Sequence, residues 1–200
     1  MRLVFASNNA HKLAEVRAMM PAGIEVLSLS DIGFEQDIEE TGTTLEENSA
    51  IKAEAVYHWI LDNGHWTIDG IFADDTGLEI DALDGKPGVY TARWAGEPAA
   101  NRKKTLAELA GKTNREAQFR TVITLIKMSD VRSQKSDIQV SGTVRGRIAT
   151  EEYGEGGFGY DPIFIPEGYD KTFGELPAEI KNGISHRARA LAALVKELKG

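Results

Sequence analysis

Ile71-Phe72-Ala73-Asp74-Asp75-Thr76-Gly77 is the stretch on which the predicted fold of this 200-residue chain depends. Its apolar start predicts a buried strand, and the strand is expected to end at the two acids. Because unpaired buried charge is costly, Asp74 and Asp75 need partner cations or a cleft, and a strand end suits a metal or a water. Taken alone, the stretch fits a capped turn better than a functional site, because Asp, Thr and Gly also form turns.

The composition limits the classes of function. Lys and Arg number 23 and Asp and Glu 31, which gives a net charge of −8 and argues against non-specific binding to nucleic acid or anionic membranes. The absence of cysteine excludes disulfides, thiolate nucleophiles and zinc–thiolate sites. No apolar run is long enough to span a bilayer, and the chain turns polar at Ser7, too early for a secretory signal. The default expectation is a cytoplasmic protein.

The N-terminal segment has the order strand, polar turn, helix. Leu3 to Ala6 predicts a buried strand, and the spacing of apolar residues predicts a helix from about Ala10 to Met20. Such a turn presents backbone N–H groups and a positive dipole to an anion, and Lys12 lies in the first helical turn. The alternative is an ordinary strand–helix connection with a surface lysine. The segment lacks the glycines of a P-loop, which favours this alternative.

A second group of acids precedes the next predicted helix. Thr44 and Glu47 form a capping-box pattern, which predicts a helix from about Leu45 to Leu61. Acids in a first helical turn favour the helix dipole. Glu39 and Glu40 lie before the cap, so they are the better candidates for contacts with a metal or a substrate.

The remaining elements predict an α/β fold, a single domain over residues 1–200 with a mixed central sheet flanked by helices and a second lobe at roughly 85–165. Gly142 and Gly146 suggest bulges or a bent edge strand. The predicted elements of this half are strands at 78–81, 119–126, 138–149 and 163–165, a hairpin connection at 133–137, a helix at 101–109, and a terminal helix that Ser185 caps and Gly200 closes.

Gly154 to Pro162 is the most biased window, with four glycines among nine residues. Glycines permit close approach of the backbone to a ligand, and Phe158 and Tyr160 could stack on a flat ring. A hairpin loop whose aromatics pack back on the core fits the same composition equally well.

Two cations, His186 and Arg187, begin the terminal helix, where the dipole disfavours positive charge. A local rule broken in this way hints at function, although Arg187 paired with a surface acid would cost little.

Loop and strand acids could bind Mg²⁺, which takes one or two carboxylates and completes its shell with water and phosphates. Lysines can hold those phosphates and an aromatic can contact a base. Together these features predict a nucleoside phosphate handled with Mg²⁺.

Six segments, in order along nearly the whole chain, resemble the inosine triphosphate pyrophosphatase family, also called non-canonical purine nucleotide pyrophosphatases. Two departures are Ser7-Asn8-Asn9, where the family more often has Thr-Gly-Asn, and Thr76 in place of Ser, which keeps the hydroxyl. The matching segments are Ser7-Asn8-Asn9-Ala10-His11-Lys12, Glu40 to Asn48, Ala73 to Leu78, Pro87 to Arg93, Gly156 to Pro162, and Ser185-His186-Arg187.

The resemblance implies Mg²⁺-dependent hydrolysis of the nucleoside triphosphates ITP, dITP and XTP between the α and β phosphates. It implies that Asp75 is the catalytic carboxylate, that Glu40 and Asp75 bind the metal, and that Thr76 touches substrate. It also implies a two-lobed fold with a cleft between the lobes, and a homodimer. The residues implied in substrate binding are Ser7, Asn8, Asn9, Ala10, His11 and Lys12 at the phosphates, and Phe158, Gly159, Tyr160, Asp161, Lys181, His186 and Arg187 at the base and sugar-phosphate.

The choice of base follows in part from hydrogen bonding. Inosine and xanthosine carry a 6-keto acceptor where adenine carries a donor, so donors such as Arg187 and Lys181 would suit the keto group. GTP shares that keto oxygen, and its rejection is not explained. Two rival interpretations are a non-catalytic nucleotide-binding module and an enzyme that acts on pyrimidine or other modified triphosphates.

Overall fold

The computed structural model describes residues 1–64, 67–128 and 138–199, so the predicted hairpin connection at 133–137 and the closing Gly200 lie outside the described residues. The strands are β1 (Arg2–Phe5), β2 (Glu25–Leu27), β3 (Gly70–Ile80), β4 (Pro87–Gly88), β5 (Glu116–Lys127), β6 (Ile138–Ile148) and β7 (Phe164–Pro166). The helices are α1 (Ala10–Met19), α2 (Leu45–Asn63), α3 (Pro98–Glu108), α4 (Ala178–Ile184) and α5 (His186–Lys199).

The strands form one mixed sheet in the order β2-β1-β3-β5-β6-β7, with β4 paired to β3. β1 runs parallel to β2 and to β3, whereas β4 is antiparallel to β3 and β7 to β6. The predicted α/β class with a mixed central sheet and flanking helices is confirmed.

β6 is not an edge strand, contrary to one expectation from its glycines. It pairs with β7 along Gly146 to Ile148. A Cβ on Gly146 would collide with the backbone oxygen of Ile165, so the glycine allows β7 to approach. The close pairing, rather than an exposed edge, explains this residue.

β3 does not end at the two acids, and the interpretation of Asp74 to Gly77 as a capped turn is wrong. The strand continues from Gly70 to Ile80, because apolar residues on both sides of the acids are buried. Asp74 is 1% and Asp75 7% exposed, so both carboxylates lie inside the protein in the middle of a strand. Two acids at this depth need cationic or hydrogen-bonding partners.

The predicted helices α1, α2, α3 and α5 are confirmed. Thr44 accepts a hydrogen bond from the Glu47 backbone while the Glu47 side chain accepts one from the Thr44 backbone, which is the predicted capping box. Sequence patterning missed the seven-residue α4, which ends just before Ser185. None of the described helices combines the length and the apolar composition needed to cross a bilayer.

The described chain divides into two compact units, each with its own apolar core. Unit 1 comprises 1–75, 122–141 and 190–200, and unit 2 comprises 76–121 and 142–189. In unit 1, one cluster around Ala53, Val56 and Ile71 packs beneath α2, and another around Phe5 and Leu191 packs beneath α1 and α5. Leu78, Phe119, Phe164 and Phe173 belong to the core of unit 2.

Candidate active site

Strand alternation places the two acids of β3 on opposite faces of the sheet within unit 1. Asp74 points towards α1, where its Oδ1 lies 2.9 Å from Nζ of Lys12. Asp75 points towards α2, where Nδ2 of Asn48 donates to its Oδ2 at 3.2 Å and Nζ of Lys52 lies 3.5 Å from its Oδ1. Each buried carboxylate therefore has a lysine of its own.

Lys52 also contacts Glu40, at 2.5 Å between Nζ and Oε1, so one buried ammonium joins the loop acid and the strand acid. Burial by itself would lower the pKa of Lys52, but the carboxylates of Asp75, Asp74 and Glu40 outweigh it and the pKa lies above the ordinary value. Burial raises the pKa of Asp75 even though Lys52 and Lys12 act against it. The cluster thus holds an acid whose charge is only partly compensated.

Lys52 and Asn48 are the residues of this cluster that sequence reasoning missed. Both are buried on α2, at 8% and 0% exposure, on the same side as Leu45 and Val56. A usable signal was present, because these polar residues occupy positions at helical spacing from the apolar stripe. Polar side chains in such positions must find buried partners.

Glu40 and Asp75, the predicted metal ligands, meet at Lys52, whereas Glu39 is exposed. Within residues 1–64, 67–128 and 138–199, no group of three or more His, Asp or Glu side chains is placed to hold a metal ion. Two carboxylates fit Mg²⁺, which takes only one or two from a protein and the rest of its ligands from water and phosphate. They do not fit an ion that requires a complete set of protein ligands.

The turn before α1 is organised by Asn9. Its Oδ1 accepts hydrogen bonds from the backbone N–H groups of His11 and Lys12, at 3.0 and 3.1 Å, and its own N–H donates to Oγ of Ser7. Asn8, Asn9, Ala10 and His11 are exposed. An anion at this helix start would therefore compete with the Asn9 side chain for two N–H groups.

In unit 2, a buried ion pair organises the glycine-rich loop. Oδ2 of Asp161 accepts from the Phe158 backbone N–H at 2.7 Å and from Nζ of Lys181 at 2.6 Å. Nζ of Lys181 lies 4.9 Å from the centroid of the Phe158 ring, and the guanidinium carbon of Arg187 lies 5.7 Å from it. Two cations near one ring leave an aromatic surface flanked by donors.

The two aromatics of the loop differ in burial, and the interpretation that they pack back on the core holds for Tyr160. Phe158 is partly exposed, whereas Tyr160 is buried and its hydroxyl donates to the Thr91 carbonyl at 2.9 Å. Burial raises the pKa of Tyr160, as expected for a phenol held in the core. Of these two rings, only that of Phe158 has an exposed surface, so stacking on a base stays a prediction for Phe158 alone.

The two residues that begin α5 are buried, at 4% exposure for His186 and 2% for Arg187. His186 stacks on Phe119 with ring centroids 4.6 Å apart, and Nη2 of Arg187 donates to Oγ1 of Thr76 at 3.4 Å. Thr76 shares a second hydrogen bond, of 2.8 Å, with the hydroxyl of Thr121. The alternative of a surface ion pair for Arg187 is wrong because its side chain is not at the surface.

Comparison with known proteins adds to this geometry. The model of the Ham1 family matches residues 3–197. A dITP/XTP pyrophosphatase of Flavobacterium johnsoniae is 48% identical over 98% of this chain and 96% of its own length, and one of Bacillus subtilis is 45% identical over 98% and 96%. The structure of the Staphylococcus aureus Ham1 protein superposes with a TM-score of 0.83 at 40% identity, covering 100% of this chain and 99% of that one.

Proposed function

The chain belongs to the Ham1 family, and we propose on that basis that it hydrolyses ITP, dITP and XTP to the nucleoside monophosphate and pyrophosphate. It is a nucleoside-triphosphate pyrophosphatase, a hydrolase of phosphoric anhydrides, and the relatives from Flavobacterium johnsoniae and Bacillus subtilis are named dITP/XTP pyrophosphatases. The observation that carries the proposal is the Lys52 ammonium between the carboxylates of Glu40 and Asp75. The two carboxylates can bind a divalent cation, and the lysine can offset negative charge on a polyphosphate.

Glu40 and Asp75 would hold Mg²⁺, since they supply the two carboxylates that this ion commonly takes from a protein. When bound there, the ion would supply positive charge that offsets the negative charge of the phosphates. The protein's own contribution is to bring both carboxylates to one place through Lys52. Phosphoryl transfer depends chiefly on such positioning and charge neutralisation.

Asp75 accepts a proton from the attacking water in this mechanism. The water oxygen bonds to phosphorus, the anhydride bond between the α and β phosphates breaks, and its electron pair leaves with pyrophosphate. Lys12 offsets negative charge on the phosphates, and the turn of Ser7, Asn8, Asn9, Ala10 and His11 lines their site. For the start of α1 to bind a phosphate, Asn9 would exchange its two backbone hydrogen bonds for the anion.

The base would stack on Phe158 while Lys181 and Arg187 donate to a 6-keto oxygen. Adenine presents an amino group at that position, so a donor of the protein would face a donor of the base, which is a basis for rejection. Thr76 would touch the substrate through the hydroxyl that Arg187 contacts. The backbone of Gly159 and Tyr160, with Asp161 and His186, would complete the site for the base and sugar-phosphate.

A triphosphate panel tests this proposal. With Mg²⁺, ITP, dITP and XTP are expected to release pyrophosphate much faster than ATP, GTP or pyrimidine triphosphates, and a chelator is expected to stop the release. Orthophosphate as the first product would contradict the proposed bond cleavage. A nucleotide-binding module would leave ITP intact, and faster turnover of a pyrimidine triphosphate would favour the other rival. The cleft between lobes, the homodimer and the cytoplasmic location stay predictions.

A further inference from the structure

Asn48 is a fully buried amide with two defined partners in unit 1. It lies in the first turn of α2, and its Oδ1 accepts the backbone N–H of Gly42 at 2.8 Å. Its Nδ2 donates to Oδ2 of Asp75 at 3.2 Å. The side chain thus links the loop that follows Glu40 to the strand that carries Asp75.

The Gly42 contact fixes the orientation of the amide. A flipped Asn48 would set its carbonyl against a carboxylate oxygen and its amino group against an N–H donor, so both contacts would become repulsive. A Cβ on Gly42 would lie 2.6 Å from Oδ1 of Asn48 and 2.7 Å from Cβ of Glu47, closer than such contacts occur, so a glycine at this position lets the loop approach the amide and the first turn of α2. The φ of Gly42 lies outside the left-handed region, which means that space, rather than backbone conformation, requires the glycine.

The two carboxylate oxygens of Asp75 have different partners. Asn48 engages Oδ2, while Lys52 lies beside Oδ1 on the other side of the same carboxylate. Lys52 in turn contacts Glu40, only two residues before Gly42. The amide and the ammonium, one helical turn apart on α2, therefore both connect the Glu40 loop to Asp75.

We propose that Asn48 is a positioning residue that couples the Glu40 loop to Asp75 and fixes the direction of the Asp75 carboxylate. The proposal rests on the proposed function, in which Glu40 and Asp75 do the chemistry. Asn48 itself is proposed to touch neither substrate nor metal. Residues that orient metal-binding carboxylates through hydrogen bonds commonly change metal affinity or activity about 10- to 100-fold when replaced.

Three variants separate positioning from simple packing. Asn48→Leu keeps the approximate volume of the side chain and removes both hydrogen bonds. Asn48→Asp keeps the shape and the acceptor for Gly42 but loses the donor to Asp75. Gly42→Ala pushes the loop away from the Asn48 amide and from Glu47 without altering Asn48 or Asp75 themselves. Ser49→Ala is the matched control, because Ser49 is equally buried on the same helix but bonds to Thr124 and the Glu46 carbonyl.

Two readouts are needed, both at a temperature where thermal unfolding shows every variant to be folded. The first is kcat and KM for ITP at saturating Mg²⁺. The second is Mn²⁺ binding without nucleotide, measured by electron paramagnetic resonance. We expect Asn48→Leu, Asn48→Asp and Gly42→Ala to lower kcat about 10- to 100-fold with a smaller change in KM, and Asn48→Leu and Gly42→Ala to weaken Mn²⁺ binding. The Gly42→Ala and Asn48→Leu effects should be strongly non-additive in the double variant.

Wild-type kcat and Mn²⁺ affinity in Asn48→Leu and Asn48→Asp would overturn the proposal. So would additive effects of Gly42→Ala and Asn48→Leu, or an equal loss in Ser49→Ala, because any of these would indicate independent packing defects. If the wild-type protein hydrolyses no triphosphate, the proposed function fails, and the Mn²⁺ measurements and the double-variant cycle still decide whether Asn48 couples the two carboxylates.

Discussion

Nζ of Lys52 lies 3.5 Å from Oδ1 of Asp75, and both side chains are buried in unit 1. This buried ammonium also contacts Glu40, so it compensates part of the negative charge of both carboxylates. The site is therefore organised before substrate arrives, through charges that α2, β3 and the Glu40 loop contribute separately. Four predictions follow this arrangement and its counterpart in unit 2.

Asp75→Asn should remove turnover while leaving the fold intact. The amide keeps the size of the carboxylate but cannot accept a proton from water, so kcat should fall by about 100- to 10,000-fold, the range for loss of a general base. The measurement is pyrophosphate release from ITP, with circular dichroism to check folding. Asp62→Asn, at an exposed site on α2, controls for the loss of one charge. Wild-type turnover in Asp75→Asn would rule out the assigned role.

Lys52→Met should destabilise the protein, and Mg²⁺ should restore part of the loss. Removing one partner of a buried ion pair costs about 3 to 5 kcal/mol, because the remaining charge is left uncompensated. Mg²⁺ supplies positive charge at the same carboxylates, so the melting temperature of the variant should rise more with Mg²⁺ than that of the wild type. Lys103→Met, on the exposed side of α3, is the control. An equal response to Mg²⁺ in the two proteins would show that the ion binds elsewhere.

Stability should depend on pH through Asp75 in a defined direction. Burial raises the pKa of Asp75 in the folded protein above the ordinary value of about 3.9. The folded state then keeps the proton over a pH range in which the unfolded state has released it, so stability falls as pH rises through that range. In chelator, the free energy of unfolding of the wild type should therefore fall relative to that of Asp75→Asn as pH rises from about 4. A difference that stays constant or rises with pH would contradict the upward shift.

Gly157→Ala should harm nucleotide binding more than Gly159→Ala. Both glycines have positive φ, +71° and +63°, so each substitution carries about 1 kcal/mol of backbone strain. A Cβ at position 157 would also collide with Oδ2 of Asp161, the atom that holds the Phe158 backbone and Lys181, whereas one at 159 meets nothing within 4 Å. The extra loss in Gly157→Ala should be about 1 to 3 kcal/mol in unfolding free energy, with a larger rise in KM for ITP.

Matched losses in the two glycine variants would mean that the Asp161 contacts do not position Phe158. Thermal unfolding and the KM for ITP should be measured on the same preparations, since strain acts on both variants and only the displacement of Asp161 separates them.

The sequence predicted those helices and strands whose limits depend on residues close together in the chain. Thr44 and Glu47 mark the start of α2 because a capping box needs only residues close in sequence. The continuity of β3 through Asp74 and Asp75 could not be predicted, because the cations that make it tolerable come from Lys12 and Lys52, on helices far away in the chain.

The same limit applies to the aromatic loop. Phe158 and Tyr160 have similar composition around them, yet one is partly exposed and the other is bonded to Thr91, at a separation of 69 residues from Tyr160. An irregular loop has no side-chain period from which orientation can be inferred. Lys52 and Asn48 could have been found from the sequence, had polar residues on the apolar side of α2 been treated as candidates.

β3 also constrains how the length of this chain can change. Asp74 and Asp75 contact different helices because successive side chains in a strand point to opposite faces. Inserting or deleting one residue between Phe72 and Asp74 would turn every later side chain of β3 to the opposite face of the sheet. Each acid would then point away from its lysine. Gains and losses of residues should therefore accumulate in connecting loops and be absent from this segment, where even a single-codon deletion should abolish folding and activity together.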